Sequence, residues 1–234
     1  MSKILHFETL DSTQAYLKNH CHELADQTIV TAEQQTAGRG RFDRTWVSQP
    51  GGLYFSVLLK PTQTTFLANL TQLMALSICQ AIEKYGIQPN LKWPNDVQVN
   101  GKKLCGILSE AIAQEGHVSC LVLGVGINVA QADLSHVGQP AVSLRELGVE
   151  VDKYDLLQTV LDLFFQSYAA VLTEGFAILR PAYKERFPFL GKQIAIKNGT
   201  SMLTGIAQDL SVRGTLLLKT SSGLQEILIG DLLA

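Results

Sequence analysis

The sequence predicts an α+β protein: a main domain with a mixed or antiparallel sheet and packed helices, followed by a small C-terminal β-barrel. Short strand patterns flank Asn100-Gly101, a dipeptide typical of β-hairpins. Strand and helix patterns do not alternate in the regular way that builds a parallel sheet. After Pro188 the chain changes to short strand-like runs separated by glycines, which is typical of a small barrel. We therefore predict two domains, residues 1–187 and residues 188–234.

Apolar patterning divides the chain into individual elements. Runs rich in β-branched and aromatic residues predict strands in the main domain at 4–7, 28–32, 53–59, 97–99, 102–110 and 118–129. Apolar residues spaced by three and four predict helices at 66–85 and 152–172, with two more after Ser12 and at 181–187. Asp11 or Ser12 can cap the first helix, and Gly86 ends the second. Strands of the C-terminal barrel are predicted at 193–196, 203–207, 215–219 and 225–229.

The bulk composition indicates a globular protein whose anion binding is local. Hydrophobic residues make up 46% of the 234 residues, and the formal net charge is only -2, so no broad basic surface is expected for nucleic acid. The chain does not begin with a signal-peptide pattern, and no stretch approaches the roughly 18 apolar residues of a membrane span. The four cysteines are widely spaced and form no C-x-x-C motif. We therefore expect reduced thiols, a cytoplasmic location and no association with a membrane.

The segment at 38–41, Gly-Arg-Gly-Arg, predicts an anion-binding loop together with Arg44. Glycine lets the backbone approach a ligand, and arginine presents a planar fork that suits carboxylate or phosphate. The segment matches neither the Walker A motif nor G-x-G-x-x-G. A flexible basic surface loop, or an arginine-glycine segment that contacts RNA, would have the same composition. Trp46 and the strong strand that follows it favour an ordered loop.

The pentapeptide at 92–96, Lys-Trp-Pro-Asn-Asp, predicts a more specific polar site. Its proline allows Asn95 and Asp96 to form a simple turn. In the functional interpretation, the same two residues hold a magnesium–phosphate unit and the lysine adds charge. Lys102 and Lys103 follow after the hairpin turn. Because adjacent side chains of a strand point to opposite faces, one of these two lysines is expected to reach back toward this site.

Two other segments allow both structural and functional interpretations. Gly124 and Gly126, after an apolar run, indicate either a bulged core strand or the floor of a pocket with Asn128 at its rim. The triplet at 20–22, His-Cys-His, suggests metal ligands, but no other His or Cys lies at a ligand-like spacing. We interpret that triplet as a solvated helix end.

Four segments together resemble the biotin–protein ligases, the biotin-[acetyl-CoA-carboxylase] synthetases. They are 11–13 (Asp-Ser-Thr), 33–41 with Trp46, 92–96 with 103–108, and 124–128. Their order and approximate spacing match the family over essentially the whole chain. The resemblance implies a catalytic core related to class II aminoacyl-tRNA synthetases and a C-terminal SH3-like barrel. Because 11–13 lies close to the first residue, it also implies the monofunctional form, without the DNA-binding domain of many members and without a DNA partner.

The activity implied by the resemblance is ATP-dependent biotin–protein ligation, with magnesium. Biotin and ATP would form biotinyl-5'-AMP, and biotin would then pass to a lysine of the biotin carboxyl carrier protein of acetyl-CoA carboxylase or of a related biotin enzyme. Family members often dimerise, so a homodimer is implied as well. The alternative is a lipoate or octanoate ligase or transferase, against which the segments at 38–41 and 92–96 argue.

The resemblance also assigns roles to individual residues. The catalytic residues would be Lys103, Arg41 and Asp96. Biotin would be bound by Ser12, Thr13, Gln14, Gln35, Gly38, Arg39, Gly40, Arg41, Lys103, Gly106 and Gly124. ATP would be bound by Arg41, Trp46, Lys92, Asn95, Asp96, Lys103 and Asn128. Asp96 is the candidate magnesium ligand, through the phosphates, and is also a candidate base for the acceptor lysine.

Two positions depart from the family pattern. Residues 130–148 lack the tryptophan that some members place against adenine, and Leu144 or a neighbouring apolar residue would substitute for it. Cys105 stands where members often carry alanine or another small residue. The loop at 36–44 is expected to order when substrates bind.

Overall fold

The computed structural model describes residues 3–42, 44–131, 133–135 and 137–233, and its larger unit is a seven-stranded sheet with helices on both faces. Its strands are β1 (Ile4–Leu10), β2 (Ile29–Gln35), β3 (Leu53–Leu59), β4 (Asn90–Lys92), β5 (Asp96–Val99), β6 (Lys102–Gln114) and β7 (His117–Ile127). Its helices are α1 (Thr13–Asn19), α2 (Asn69–Glu83), α3 (Lys153–Glu174) and α4 (Arg180–Glu185), with short 3-10 turns at Arg145–Leu147 and Gly175–Ile178.

The larger sheet is mixed, as the sequence predicts. Its strands lie in the order β1-β2-β3-β7-β6-β5-β4. β1 pairs with β2 in parallel, and every other neighbouring pair is antiparallel. The hairpin between β5 and β6 turns at Asn100 and Gly101, whose φ angles of 51° and 75° fit the type I′ turn that Asn-Gly favours.

β3 is buried on both of its faces, which explains why all of its residues except Ser56 are apolar. Phe55 and Val57 belong to the main core with α2 and α3, whereas Leu58 belongs to a second cluster with Leu17 of α1. All seven residues of β3 are buried. A strand covered by helices on both sides has no solvent face on which polar residues would be favoured.

The C-terminal unit is a five-stranded antiparallel sheet. Its strands are β8 (Gln193–Asn198), β9 (Ser201–Leu210), β10 (Leu216–Thr220), β11 (Gly223–Ile227) and β12 (Asp231–Leu233), in the order β11-β10-β9-β8-β12. Gln72 Nε2 of α2 and Trp93 Nε1 both donate to the carbonyl of Gly214, at 2.8 and 3.1 Å. Because buried polar groups are normally paired, these bonds fix the small sheet against the main unit.

The predicted fold class is confirmed, while several element bounds differ. The strand at 53–59 has the predicted bounds, and β6 continues beyond 110 to Gln114. β4 and β12 have only three residues each, too few for an alternating pattern to identify them. The division of the chain at 187/188 stays a prediction.

One helical stretch corrects the expectation that no segment approaches a membrane span. Lys153–Ile178 is long and apolar enough to cross a membrane by length and composition, since an 18-residue window within it has a mean hydropathy of 1.3. Leu156, Val160 and Phe164 of this stretch are fully buried in the main core, where α3 packs against α2. α3 therefore packs one face on the core, and 39% of its most apolar window is buried.

Candidate active site

A cavity of about 340 Å³ lies over β6 and β7 and gathers residues from distant parts of the chain. Its lining includes these residues that the sequence analysis assigned to substrates: Ser12, Thr13, Gln14, Gln35, Arg39, Gly40, Arg41, Trp46, Lys92, Asn95, Asp96, Lys103, Gly106 and Gly124. A volume of this size suits a small organic ligand. The fold therefore brings most of the predicted site residues to one place.

A chain of hydrogen bonds between uncharged side chains forms one end of the cavity, here called the polar end. Thr13 Oγ1 lies 2.8 Å from Ser56 Oγ and donates to Gln35 Oε1 at 3.2 Å. The Thr13 amide also donates to Gln35 Oε1, at 2.9 Å, and Gln35 Nε2 donates to Ser48 Oγ at 2.7 Å. Ser12 starts α1 as its N-cap, because its Oγ accepts from the Ala15 amide. These contacts hold the first turn of α1 rigidly against β2 and β3.

Gln14 completes the polar end and leaves one oxygen available. Its Nε2 donates to Glu110 Oε2 at 2.9 Å and lies 3.3 Å from the Leu108 carbonyl. Its Oε1 is buried and has no hydrogen-bond partner within the described residues. A Cβ added at Gly124 would collide with this oxygen. The glycine therefore leaves space in front of a buried acceptor, which suits a ligand that presents an N–H or O–H group.

Trp46 lies across two glycines in the middle of the cavity. A Cβ added at Gly126 would collide with the indole, and one at Gly106 would lie 2.7 Å from Trp46 Cζ3. Gly106 and Gly126 are directly paired between β6 and β7. Gly124 and Gly126 therefore form the floor of a pocket. This is the second of the two interpretations that the sequence allows, the first being a bulged core strand. Gly126 is needed for the indole and is absent from the predicted site residues.

Lys103 is the lysine that faces the cavity, and Lys102 is exposed outside it. Lys103 Nζ lies 2.9 Å from Asp96 Oδ1 and 5.2 Å from the centre of the Trp46 ring system. Both side chains of this ion pair are largely buried, at 14% and 17% exposure. With little water to screen it, an ammonium group in such a position interacts strongly with an anionic ligand.

Arg41 lies between the pentapeptide and the C-terminal sheet. Its Nη1 donates to Asn95 Oδ1 at 2.8 Å, and its Nη2 donates to the Gly230 carbonyl at 3.3 Å. Asp231, the first residue of β12, has Oδ1 3.9 Å from Arg41 Nη1 and forms a second ion pair with Arg44. Burial lowers the pKa of Arg41, an effect that Asp231 opposes, and the guanidinium stays charged at neutral pH. We call Arg41, Asn95, Asp96, Lys103 and Asp231 the charged end.

Backbone hydrogen bonds join the two sides of the arginine segment. The Gly40 amide donates to the Arg44 carbonyl at 2.6 Å, and the Trp46 amide donates to the Gly38 carbonyl at 2.9 Å. Arg39 is exposed and forms a backbone bridge with Thr45. The expectation that this loop orders only with substrates stays a prediction, and Asp43 within it lies outside the described residues.

Two predicted site residues do not line the cavity. Gly38 is buried beneath the loop, where a Cβ would meet the Trp46 carbonyl and lie 2.7 Å from Ser48 Oγ. Asn128 is 4% exposed, and its Nδ2 contacts the carbonyls of Lys103 and Val142 at 3.2 and 3.3 Å. The Asn128 amide therefore joins β6, which carries Lys103, to the segment that contains Val142. The prediction that Asn128 lies at the rim of the pocket is wrong.

The cavity also has lining residues that sequence reasoning missed. Ser56 belongs to a strand that looks purely structural, and Asp231 and Lys197 come from the C-terminal sheet. No local motif marks these three positions. Leu144, the suggested substitute for the adenine-stacking tryptophan, is fully buried in the core outside the cavity. Gln139 is the lining residue from the described part of 130–148.

Comparisons with protein families find matches over most of the chain. Residues 6–128 match the model described as the biotin/lipoate A/B protein ligase family, and residues 189–231 match the biotin protein ligase C terminal domain.

Individual relatives and solved structures agree with these matches. The chain is 35% identical to the bifunctional ligase/repressor BirA of Bacillus subtilis, over 98% of this chain and 73% of that protein. It is 34% identical to the biotin--[acetyl-CoA-carboxylase] ligase of Paracoccus denitrificans, over 93% of this chain and 94% of that protein. Its fold matches the biotin protein ligase from Aquifex aeolicus in complex with biotin and ATP, with a TM-score of 0.89 and 33% identity over 100% of this chain and 98% of that one.

Proposed function

The chain belongs to the biotin–protein ligases, within the biotin/lipoate A/B protein ligase family, and we propose that it biotinylates a carrier protein in two steps. In the first step, a biotin carboxylate oxygen attacks the α-phosphorus of ATP, the bond to the β-phosphate oxygen breaks, and pyrophosphate leaves. In the second step, the neutral amine of an acceptor lysine attacks the carbonyl carbon of biotinyl-5'-AMP. The amide bond forms, AMP leaves with the electrons of the broken C–O bond, and the nitrogen loses a proton.

The observation that carries this proposal is the arrangement of the two ends along the paired strands β6 and β7. Gly124, beside Gln14 of the polar end, pairs with Leu108, and two residues along each strand Gly126 pairs with Gly106 beside Lys103. Two residues of strand correspond to about 7 Å. A ligand with a polar neutral head and an anionic tail therefore fits with its head at Gln14 and its tail at Lys103, which is the chemical layout of biotin.

The charged end supports the assignment of roles in the first step. That step joins a carboxylate to a triphosphate, so the protein must offset the repulsion between two anions. Lys103 and Arg41 belong to this end of the cavity, and four further basic residues line the cavity: Arg39, Arg44, Lys92 and Lys197. Trp46, packed on the glycines between the two ends, would shield the adenylate from water.

Asp96 fits the proposed magnesium role. Magnesium commonly binds one or two protein carboxylates together with substrate phosphates. Asp96 Oδ1 is buried and forms no hydrogen bond within the described residues, although it lies 2.9 Å from Lys103 Nζ. When bound with ATP, the ion would neutralise phosphate charge. Asp96 is also the proposed acceptor of the proton that the attacking lysine loses.

We propose the biotin carboxyl carrier protein of acetyl-CoA carboxylase, or a related biotin domain, as the acceptor. The name of the Paracoccus denitrificans relative supports this choice. Homodimer formation and a cytoplasmic location are also proposed. The wide spacing of the four cysteines, without a C-x-x-C motif, supports a reducing compartment.

The test is biotin-dependent labelling of a purified carrier domain with ATP and magnesium, together with ATP–pyrophosphate exchange. We expect strong labelling by the wild type and a fall of about 10²–10³-fold in Lys103→Ala, because a well-placed charge stabilises the reacting anions. Lys102→Ala is the matched control, since Lys102 is the exposed neighbour of Lys103.

The choice of acid separates the proposed reaction from its alternative. Pyrophosphate exchange driven by lipoate or octanoate, with none driven by biotin, would overturn the proposal. Equal activity of Lys103→Ala and Lys102→Ala would overturn the placement of the site.

A further inference from the structure

A cluster of metal-ligating side chains lies outside the cavity, beneath the C-terminal end of α1. Its members are Cys21, His22 and Cys120, and one ligand atom of each lies within 4.8 Å of the others. Cys120 is in β7, 99 residues from Cys21, and its Sγ donates weakly to the Cys21 carbonyl at 3.8 Å. The fold therefore supplies the second sulfur that the local sequence lacks.

The interpretation of residues 20–22 as a solvated helix end is wrong for Cys21. Its side chain is 1% exposed and packs with Leu17 and Val122 in the smaller core cluster. His20 is turned away, with Nδ1 2.9 Å from the Tyr16 carbonyl and its ring stacked on Tyr16. His22 is exposed and lies at the cluster, so the group has one solvent-accessible ligand and two buried sulfurs.

We propose that Cys21, His22 and Cys120 form a binding site for a soft divalent cation, with Zn²⁺ as the preferred ion and water as the fourth ligand. Two thiolates and an imidazole are the donors that zinc favours, and three protein ligands with one open position is an established zinc geometry. Sulfurs 2.3 Å from one zinc ion stand about 3.8 Å apart in tetrahedral geometry. Ligand atoms already within 4.8 Å need to move together by only about 1 Å.

The position of the cluster gives the site a structural consequence. α1 carries Thr13 and Gln14 of the polar end, and β7 carries Gly124, four residues after Cys120. A metal bound to Cys21 and Cys120 would link these two elements beside the cavity. Because it binds only the folded chain, it would also raise the midpoint of thermal unfolding.

The test is a titration of the full-length, reduced, metal-free protein, without nucleotide, with Co²⁺ and then with Zn²⁺. We expect one ion per chain, a thiolate-to-cobalt charge-transfer band, and displacement of cobalt by zinc. A thiol must lose its proton to bind a metal ion, so binding should release protons, which calorimetry in two buffers measures. Neither readout depends on ligase activity, so failure of this inference is separate from failure of the proposed function.

Two histidine variants make the test specific. His22→Ala, an exposed change that should leave folding intact, is expected to weaken Zn²⁺ affinity by at least about 10–100-fold, the range seen even when supporting residues of metal sites are lost. His20→Ala is the matched control and should bind as the wild type does. Cys120→Ser should lower the intensity of the charge-transfer band, because only one of the two sulfur ligands remains.

Three results would overturn the inference. They are absence of the cobalt band in the reduced wild type, equal affinity in His22→Ala and His20→Ala, and a Cys21–Cys120 disulfide in a protein that takes up no metal when reduced.

Discussion

The polar end and the charged end of the cavity are stabilised in different ways. Thr13 of α1 bonds to both Gln35 and Ser56 of the sheet, so the positions of these side chains do not depend on a ligand. Arg41 and Lys103 are instead paired with the carboxylates of Asp231 and Asp96. Incoming phosphates must replace or extend those pairs. We infer that the polar end selects biotin as the acid substrate, while the charged end determines the rate at which biotin is converted to its adenylate.

Removing a cation should produce the largest effect and should act on rate. In Arg41→Ala, we expect the rate of adenylate formation to fall by about 10²–10³-fold, or about 2.7–4 kcal/mol, because the guanidinium faces the developing charge. ATP–pyrophosphate exchange measures the rate, and calorimetry measures biotin affinity. Arg145→Ala is the control, since Arg145 is exposed and outside the cavity. A loss confined to biotin affinity would break the distinction between the two ends.

Filling the polar end should produce the next largest effect and should weaken the binding of biotin. A methyl group in Gly124→Ala collides with Gln14 Oε1, and overpacking of this kind costs about 1–3 kcal/mol. We expect KM for biotin to rise by roughly 5–150-fold at an unchanged KM for ATP. Gly138→Ala is the control, because a Cβ there meets nothing within 4 Å. A matching rise in KM for ATP would show that the two ends act as one.

Neutralising Asp231 should have a smaller effect, and it should strengthen substrate binding where the previous change weakens it. Asp231 pairs with Arg41 and Arg44, so an incoming triphosphate competes with this carboxylate. Such pairs contribute about 0.2–1 kcal/mol, so Asp231→Asn should lower KM for ATP by about 1.5–5-fold. Steady-state kinetics over a range of ATP concentrations measures the change. A raised KM would instead mean that Asp231 holds the arginines in their binding position.

The smallest expected effect concerns Glu110, whose carboxylate accepts a hydrogen bond from Gln14. Burial alone would raise the pKa of Glu110, but hydrogen bonds from Lys18 and Gln14 lower it below its ordinary value. A carboxyl group with a lowered pKa stabilises the fold above its unfolded pKa of about 4.3, and this stabilisation is lost as pH falls through the folded value. In Glu110→Gln, we expect the free energy of unfolding at pH 7 to fall by at most about 1 kcal/mol, because the pair is partly exposed.

Urea unfolding at pH 7 and at acid pH checks this last prediction. The difference between wild type and Glu110→Gln should shrink as the carboxyl group becomes protonated. A difference of equal size at both pH values would show that the charge of Glu110 does not contribute.

The sequence predicted the site better where residues act locally than where they meet at long range. The segments at 38–41 and 92–96 predicted residues that line the cavity, because the chemistry of glycine, arginine, asparagine and aspartate can be recognised within a few positions. The predicted position of Asn128 was wrong. Gly124 and Gly126 of the same segment line the cavity, but the Asn128 side chain bonds inward to the carbonyls of Lys103 and Val142. Ser56 was missed because an apolar strand gave no sign of a polar role.

The sequence by itself determined the turn at Asn100-Gly101, the doubly buried strand at 53–59 and the α+β class, because these follow from backbone preferences and short-range apolar patterns. Only the tertiary structure decided which of two adjacent lysines faces Asp96. Val97 and Gln98 of β5 pair with Cys105 and Lys103, so one extra residue of β6, Leu104, shifts the register, and a shift by one residue reverses the faces. It also decided that Asp231 meets Arg41 and that Cys120 meets Cys21. Contacts between segments so far apart in the chain depend on strand order and on packing between the two sheets, which local patterns do not specify.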